Sequence, residues 1–199
     1  MRIFLIPALL LAAAPAQAGQ SVPLTPPVGA TFLYGGDGPR SVPDGHPLRG
    51  RITVEPVLEM PKRVGSLLMP VTKPAEFDRA LKATLEHAGL LAGPADPPKA
   101  RLLVTWRWLD APARFGTRAH ATVEIGYELR RIDTGQTIFQ REVRTESRAH
   151  GGAASERVRL NARMAVQRNI ASAVACLDKA AYGAAPADCA AWMGRLAAR

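Results

Sequence analysis

A strict alternation of apolar and polar residues runs through the middle of the chain. Apolar side chains occupy every second position from 121 to 129, namely Ala121, Val123, Ile125, Tyr127 and Leu129. Because successive side chains of a strand point to opposite faces of a sheet, this pattern predicts a strand with one buried and one solvent-facing side.

A turn sequence, Asp133-Thr134-Gly135, separates this strand from another that is predicted over about 136–147. A three-residue loop with Gly at the left-handed position predicts a hairpin in which Ile132 pairs with Gln136. The resulting register sets three pairs opposite one another: Leu129 with Phe139, Ile125 with Val143, and Glu124 with Arg144. A two-residue loop would instead place Ile125 beside Arg144 and exchange the faces of one strand, so the three-residue loop is favoured.

Two more strands are predicted upstream of the hairpin. The first covers 51–56 and ends at its proline, and its pairing is left open. Residues 60–72 are predicted to be irregular. In the second strand Leu102, Val104, Trp106 and Trp108 share one face by alternation, so both tryptophans are expected in the core or at its lip. Because Arg107 lies between the two tryptophans, the alternative is a platform on which nucleic-acid bases would stack.

Two helices are predicted from apolar positions at helical spacing. The first begins at Pro74, carries Glu76 and Asp78 in its first turn, and ends before Gly89, which suits a left-handed cap. The second is longer and has Ser155 as its predicted cap. Its apolar stripe is broad, with Val158, Ala162, Ala165, Val166, Ile170, Ala173, Cys176 and Leu177.

One polar residue, Asn169, interrupts the stripe of the second helix. It is interpreted as a buried amide that satisfies a backbone group, with a ligand role as the alternative. Four arginines of this helix are expected outside the stripe or along its edges: Arg157, Arg159, Arg163 and Arg168.

The N-terminus has the features of an export signal. Met1 and Arg2 precede an apolar stretch of about a dozen residues that closes on Ala16-Gln17-Ala18. We expect cleavage between Ala18 and Gly19. The stretch is shorter than the roughly 20 residues that span a bilayer, and the alternative of a buried helix is disfavoured by prolines at both of its ends.

The organisation expected from these features is a signal peptide at 1–18, a Pro/Gly-rich arm at 19–50, an α+β domain at 51–178 and a C-terminal tail at 179–199. Whether the arm docks on the domain is left open. The mature protein is expected in the periplasm, without a lipid, because no cysteine stands near the cleavage position. No transmembrane segment is expected in the mature chain.

Two cysteines, Cys176 and Cys189, are separated by twelve residues. In an oxidising compartment they are expected to form a structural disulfide, which in the chain-entropy model contributes roughly 3 kcal/mol. A redox pair would need Cys-x-x-Cys, and a metal site would need more ligands than two thiols.

Basic residues outnumber acidic ones, with 26 Lys+Arg against 17 Asp+Glu. Loss of Arg2 with the signal lowers the formal net charge from +9 to +8. In an exported protein this excess favours anionic lipid, lipopolysaccharide or cell wall over nucleic acid as a counterpart. The preferred interpretation is nevertheless that the Arg- and Ala-rich composition reflects a biased codon supply, because net charge alone bears on solubility and non-specific binding rather than on fold or function.

No catalytic, cofactor or metal signature emerges from the sequence. The four histidines lie in different predicted elements and none shows a metal spacing. Glu124 and Glu128 share a strand face but lie about 13 Å apart, which is too far for a glycosidase pair. No catalytic residue, metal or cofactor is therefore expected, and the protein is expected not to be an enzyme.

Three segments resemble the small exported α+β proteins of Gram-negative envelopes, which include YajG-like lipoproteins, auxiliary components of ABC-type transport systems and uncharacterised alphaproteobacterial proteins. These segments are 76–91, 123–135 and 159–170. The resemblance covers about two-thirds of the chain and carries no catalytic motif. It implies a non-enzymatic envelope accessory protein, although this chain lacks the cysteine at the cleavage position that many relatives carry.

The expected fold is α+β, an antiparallel sheet of about four strands with two helices on one face, in the order β-α-β-β-β-α. The expected function is assistance to envelope transport or maintenance through a protein partner. The alternatives are a binder of anionic lipid or lipopolysaccharide that uses the arginine-rich helix edges, and an enzyme of unrecognised type.

Overall fold

In the computed structural model, residue 24 and residues 41–65, 70–112, 118–150 and 153–181 are described. The elements are β1 (Ile52–Val54), β2 (Val64–Gly65), β3 (Pro70–Thr72), α1 (Pro74–His87), β4 (Ala100–Asp110), β5 (Arg118–Arg131), β6 (Thr137–His150) and α2 (Ala154–Ala180). The predicted α+β class and the order β-α-β-β-β-α are confirmed. Within the described ranges, neither helix is long and apolar enough to cross a membrane.

The main sheet has the strand order β1-β4-β5-β6 and is mixed rather than wholly antiparallel. β1 pairs in parallel with β4, with Ile52 opposite Ala100, and the other two pairings are antiparallel. The expectation of an antiparallel sheet is thus wrong for β1. The reason is the connection: α1 lies between β1 and β4, and a strand–helix–strand crossover returns the chain in the same direction. A second sheet, β2 with β3, occupies part of the stretch that was predicted to be irregular.

The predicted hairpin register is confirmed along the body of β5 and β6. Its three pairs all occur as expected, Leu129 with Phe139, Ile125 with Val143, and Glu124 with Arg144. Gly135 adopts the left-handed conformation, with φ of 70°. At the turn end the register shifts by one, so that the Arg131 amide, rather than that of Ile132, donates to the Gln136 carbonyl at 2.8 Å.

Both helices pack on the same face of the main sheet, as expected. Phe77 of α1 meets Trp106 of β4 edge-to-face, with ring centroids 5.9 Å apart. Thr145 of β6 donates its hydroxyl to the Ala165 carbonyl of α2 at 2.9 Å. All residues predicted for the apolar stripe of α2 are buried, so the long helix forms one side of the core.

The end of α1 is built by Gly89, which has φ of 71°. Its amide donates to the Glu86 carbonyl at 2.9 Å, and the Leu90 amide donates to the Leu85 carbonyl at 2.8 Å. These two bonds form a Schellman motif, which satisfies carbonyls that the helix would otherwise leave unpaired. The start of α2 differs from expectation: Ala153, not Ser155, is the N-cap residue, and it makes no side-chain cap.

Residues assigned to the N-terminal arm contribute to the core. Leu24, Val42 and Leu48 are buried in the same cluster as the sheet and the helices. The domain boundaries themselves stay predictions. The signal peptide with its Ala18–Gly19 cleavage position, most of the arm, Cys189 and the tail from residue 182 lie outside the described residues. Cys176 is buried, and its disulfide stays a prediction.

The candidate functional site is a bulge on the open sheet face

The face of the main sheet opposite the helices carries alternating positions of β4, β5 and β6. On β6 the outer residues Gln140, Glu142, Arg144, Glu146 and Arg148 are exposed. Charged side chains of both signs follow one another here, as the alternation predicted. The face is therefore an open, solvated surface with no strong excess of one charge.

A β-bulge in β4 changes which face its last residues occupy. The register shifts between Trp106 and Trp108, so that Trp106 lies opposite Ile125 and Trp108 lies opposite Glu124. The expectation that both tryptophans share one face is therefore wrong. Arg107 is the inserted residue, and one extra residue reverses the alternation beyond it. Trp106 is buried in the core, whereas Trp108 is half-buried on the open face.

On that face, Trp108 stacks against an arginine of β6. The guanidinium carbon of Arg144 lies 5.3 Å from the centre of the Trp108 ring, within range of a cation–π interaction. Glu124 is the cross-strand neighbour of both residues. The stack thus holds a large aromatic ring in one position on an otherwise polar surface.

Arg107 crosses the sheet beside this stack. Its Nε donates to the Glu142 carboxylate at 3.1 Å, and its Nη1 lies 3.5 Å from Glu59. The Arg107 side chain passes over Gly126, where an added Cβ would lie 3.8 Å from the Arg107 Nε. The absence of a side chain at Gly126 leaves room for the arginine to lie close to the sheet.

The segment before Glu59 follows the edge of β4. The Leu58 amide donates to the Val104 carbonyl at 2.8 Å, and the Trp106 amide donates to the Leu58 carbonyl at 2.9 Å. Glu59 has φ of 58°, and it is the only non-glycine residue with a positive φ within the described ranges. Such a conformation costs about 1–2 kcal/mol and is found more often at functional sites. Leu58 is 52% exposed, although it is a large apolar residue.

We define the bulge surface as Leu58, Glu59, Arg107, Trp108, Glu142 and Arg144. Its two arginines and two glutamates balance in charge, and its centre is an aromatic ring with an arginine over it. Trp and Arg are the residue types that most often dominate binding at protein interfaces. The arrangement can bind a partner surface that offers apolar contact.

Glu128 and His46 take part in contacts within the fold. The Arg130 guanidinium donates to both oxygens of Glu128, at 2.7 and 2.8 Å, and holds the pKa of that carboxyl below its usual value. His46 is buried against the end of α2, 3.1 Å from the Asp178 carboxylate, and His120 is exposed. Across the described part of the chain, no three His, Cys, Asp or Glu residues form a group that could hold a metal.

Asn169 occupies the position that its sequence context indicated. It is fully buried, accepts a hydrogen bond from the Tyr127 hydroxyl at 2.9 Å and donates to the Val143 carbonyl at 2.6 Å. The interpretation as a buried amide that satisfies a backbone group is therefore confirmed. Burial raises the pKa of the Tyr127 hydroxyl, which keeps its proton for this bond.

Two of the arginines expected at the edges of α2 are buried instead, Arg157 and Arg163. Arg163 donates to the Val71 carbonyl and to the Glu76 carboxylate, both at 2.6 Å. Burial alone would raise the pKa of Glu76, but the Arg163 guanidinium, the Thr72 hydroxyl and the charge of Arg79 together outweigh burial and hold that pKa below its usual value. This ion pair ties α2 to α1 and to β3. Sequence reasoning missed it because the position of Arg163 on the helix does not reveal what packs over it.

No protein-family model matches the chain, and no curated protein matches it in sequence. Solved structures are similar in fold. A Xanthomonas campestris protein assigned to the family DUF330 superposes with a TM-score of 0.52 at 12% identity, covering 72% of this chain and 93% of that one. A Chlamydia trachomatis protein described as hypothetical gives 0.53 at 12% identity, covering 68% and 99%.

A minor lipoprotein of Acinetobacter baumannii is also similar, at 8% identity over 65% of this chain and 93% of that one, but its TM-score of 0.41 is too low to support an argument. The Xanthomonas campestris and Chlamydia trachomatis structures support the expected α+β fold, whereas the expected likeness to envelope proteins stays a prediction and a YajG-like assignment is not confirmed. At these identities the likeness concerns architecture alone. This chain therefore shares its fold with a DUF330 protein.

Proposed function

We propose that this protein is an exported, non-catalytic accessory protein of the cell envelope that binds a protein partner through the bulge surface. Export to the periplasm rests on the N-terminal signal features. The single observation that carries the binding role is the stacked pair of Trp108 and Arg144 on the open sheet face.

Three properties of the bulge surface support binding rather than a purely structural role. The bulge at Arg107 turns Trp108 to the outer face, where this large apolar side chain is only half-buried. Glu59 keeps a strained backbone beside it, and Leu58 exposes an apolar side chain. Each feature lowers the stability of the isolated protein, and burial of Leu58 and Trp108 against a partner would offset part of this loss.

The alternative, a binder of anionic lipid through arginine-rich edges of α2, is weakened by the burial of Arg157 and Arg163. Their guanidinium groups face the protein interior, and Arg163 already neutralises Glu76. The open sheet face does not replace them, because its arginines alternate with carboxylates. A surface of mixed charge gains little from an anionic membrane.

The test is site-specific photo-crosslinking in intact envelopes. A photoreactive phenylalanine analogue is placed at Leu58, with a matched control at Ile132. These two residues are the exposed large apolar side chains of the described chain, at 52% and 40% exposure. We expect a defined protein adduct from position 58 and none from position 132. Equal adducts from both positions, or adducts with lipid alone, would contradict the proposal.

The adduct partner is then purified and its affinity measured against variants. Trp108→Ala is expected to weaken binding by at least about tenfold, as for a residue at the centre of an interface. Arg148→Ala, on the same face of β6 but outside the bulge surface, serves as the control and is expected to bind as the parent does. An unchanged affinity for Trp108→Ala would place the interface elsewhere.

A further inference from the structure

A polar cavity of about 470 Å³ opens at the other end of β4, away from the bulge surface. The loop 41–50, the start of β1, the turn after α1 and the start of β4 meet there. Lys99 at the cavity and Trp106 at the bulge are seven residues apart, or about 23 Å at roughly 3.3 Å per residue of strand. The two sites are therefore separate.

Three cationic side chains line this cavity: Arg49, Arg51 and Lys99. Arg49 donates to the Val42 carbonyl, and Arg51 donates to the Pro97 carbonyl at 3.2 Å. These bonds hold each guanidinium in place while leaving other N–H groups of the same fork for a ligand, since an arginine carries five donors.

Two aspartates compete for the arginines. Asp44 lies 3.1 Å from Arg49, and its side chain is 98% exposed. Asp96 lies 3.5 Å from Arg51 and is also exposed. Ion pairs between exposed groups contribute only about 0–1 kcal/mol, so an incoming anion can exchange with either carboxylate. Lys99 forms no ion pair with any residue that the structure describes and adds a third positive charge.

The walls of the cavity leave space for a ligand of modest size. Gly50 and Gly89 line it with no side chain, and both have positive φ, at 60° and 71°. The buried His46 ring accepts the Leu48 amide at 3.2 Å and fixes the loop that forms one wall. Cavities of about 300–1,000 Å³ hold small organic molecules.

We propose that this cavity binds a phosphate monoester. Guanidinium forks match the oxygens of phosphate in bidentate geometry, and three cations suit a dianion better than a single carboxylate. The phosphate group would exchange with Asp44 and Asp96 and bring its charge next to Lys99. The ligand is either a soluble phosphate ester or the headgroup of a lipid such as phosphatidic acid, which carry the same group. The inference is independent of the proposed partner binding.

The test is calorimetric titration of the purified protein with glycerol 3-phosphate at low ionic strength, with neutral glycerol as the matched ligand control. Arg51→Ala and Lys99→Ala are each expected to weaken binding by about tenfold or more, because each removes a charge-assisted contact. Arg101→Ala removes the same charge from an exposed position on β4, outside the cavity, and is expected to leave binding unchanged. Two cavity variants are measured so that a folding defect in one of them does not decide the result.

Substitution of an aspartate that competes for the cavity arginines provides a second test. Asp96→Asn removes a competing carboxylate and is expected to tighten binding severalfold, whereas Asp110→Asn makes the same charge change at a distance and is expected to have no effect. No binding of glycerol 3-phosphate, or equal losses in Arg51→Ala and Arg101→Ala, would overturn the proposal.

Vesicles of phosphatidylcholine with and without phosphatidic acid distinguish the two sources of the ligand. Binding to both glycerol 3-phosphate and phosphatidic acid vesicles, each weakened by Arg51→Ala, supports a lipid headgroup. Binding to glycerol 3-phosphate alone supports a soluble ester. Vesicle binding that Arg51→Ala does not change, without binding of the soluble ester, overturns the cavity as the site.

Discussion

Two asparagines on α2, Asn169 and Asn161, are equally buried but differ in their hydrogen bonds. Both are fully inaccessible to solvent. Asn169 is bonded to the Tyr127 hydroxyl and to the Val143 carbonyl, whereas neither polar atom of Asn161 has a hydrogen-bond partner within the described chain. Substitution of each by alanine therefore tests whether pairing, rather than burial, makes a core amide stabilising.

The expected magnitudes differ because of what each substitution leaves behind. Asn169→Ala leaves a buried hydroxyl and a buried carbonyl without their partner, at about 1–3 kcal/mol for each such group before relaxation, so a loss of about 2–4 kcal/mol is expected. Asn161→Ala removes an amide whose desolvation is uncompensated, and this gain offsets the lost packing. We expect Asn161→Ala to remain within about 1 kcal/mol of the parent.

The assay is reversible urea unfolding followed by circular dichroism, with thermal unfolding as a second measure. A difference of about 2 kcal/mol between the two variants corresponds to about 4–8 °C in Tm for a protein of this size. The double variant Tyr127→Phe with Asn169→Leu replaces the side-chain pair by apolar groups and is expected to recover part of the loss of Asn169→Ala.

Equal destabilisation by Asn161→Ala and Asn169→Ala would refute this reasoning, because it would show that side-chain volume alone sets the cost. A double variant no more stable than Asn169→Ala would show that the bond to Tyr127 has no net effect. Either result would remove the hydrogen-bonded core amide as an explanation for the polar residue in the apolar stripe.

Three further predictions concern charge, backbone and the cysteines. The pKa of Glu76 is lowered in the folded state, so its contribution is present above the ordinary carboxyl pKa and is lost as pH falls through the lowered value; Glu76→Gln should flatten this part of an acid-unfolding curve. Gly89→Ala should cost about 1–2 kcal/mol in urea unfolding because φ is 71°, whereas Gly93→Ala, which has open space around it, should be close to neutral. If Cys176 and Cys189 are joined, thiol titration of the denatured protein should detect free thiols only after reduction, and reduction should lower stability by roughly 3 kcal/mol.

The bulge surface and the polar cavity lie near opposite ends of β4. Lys99 immediately precedes β4, whose first residues pair in parallel with β1, and towards its end β4 carries the bulge that turns Trp108 outward. The helices cover only one side of this strand. One element can therefore present two separate surfaces without disturbing the core.

Local interactions determined what the sequence predicted correctly. The alternation in β5 and the turn at Asp133-Thr134-Gly135 lie within one hairpin, so the register followed from residues close in the chain. The limits of α1 followed from Pro74 and Gly89 in the same way, since caps act within one helical turn. The stripe of α2 showed which of its sides faces the sheet.

Only the tertiary structure decided the features that depend on distant parts of the chain. The parallel pairing of β1 with β4 joins segments about 48 residues apart, and no pattern within either strand specifies it. The bulge at Arg107 reversed a face that alternation alone assigned, because the pairing of β4 with β5 sets where the ladder is interrupted. Arg163 is buried because Glu76 and Val71 lie over it, and the cavity exists because four separate segments meet there. Hydrophobic periodicity depends only on residues that are close together along the chain. The partners of a side chain across the fold depend instead on how the elements pack.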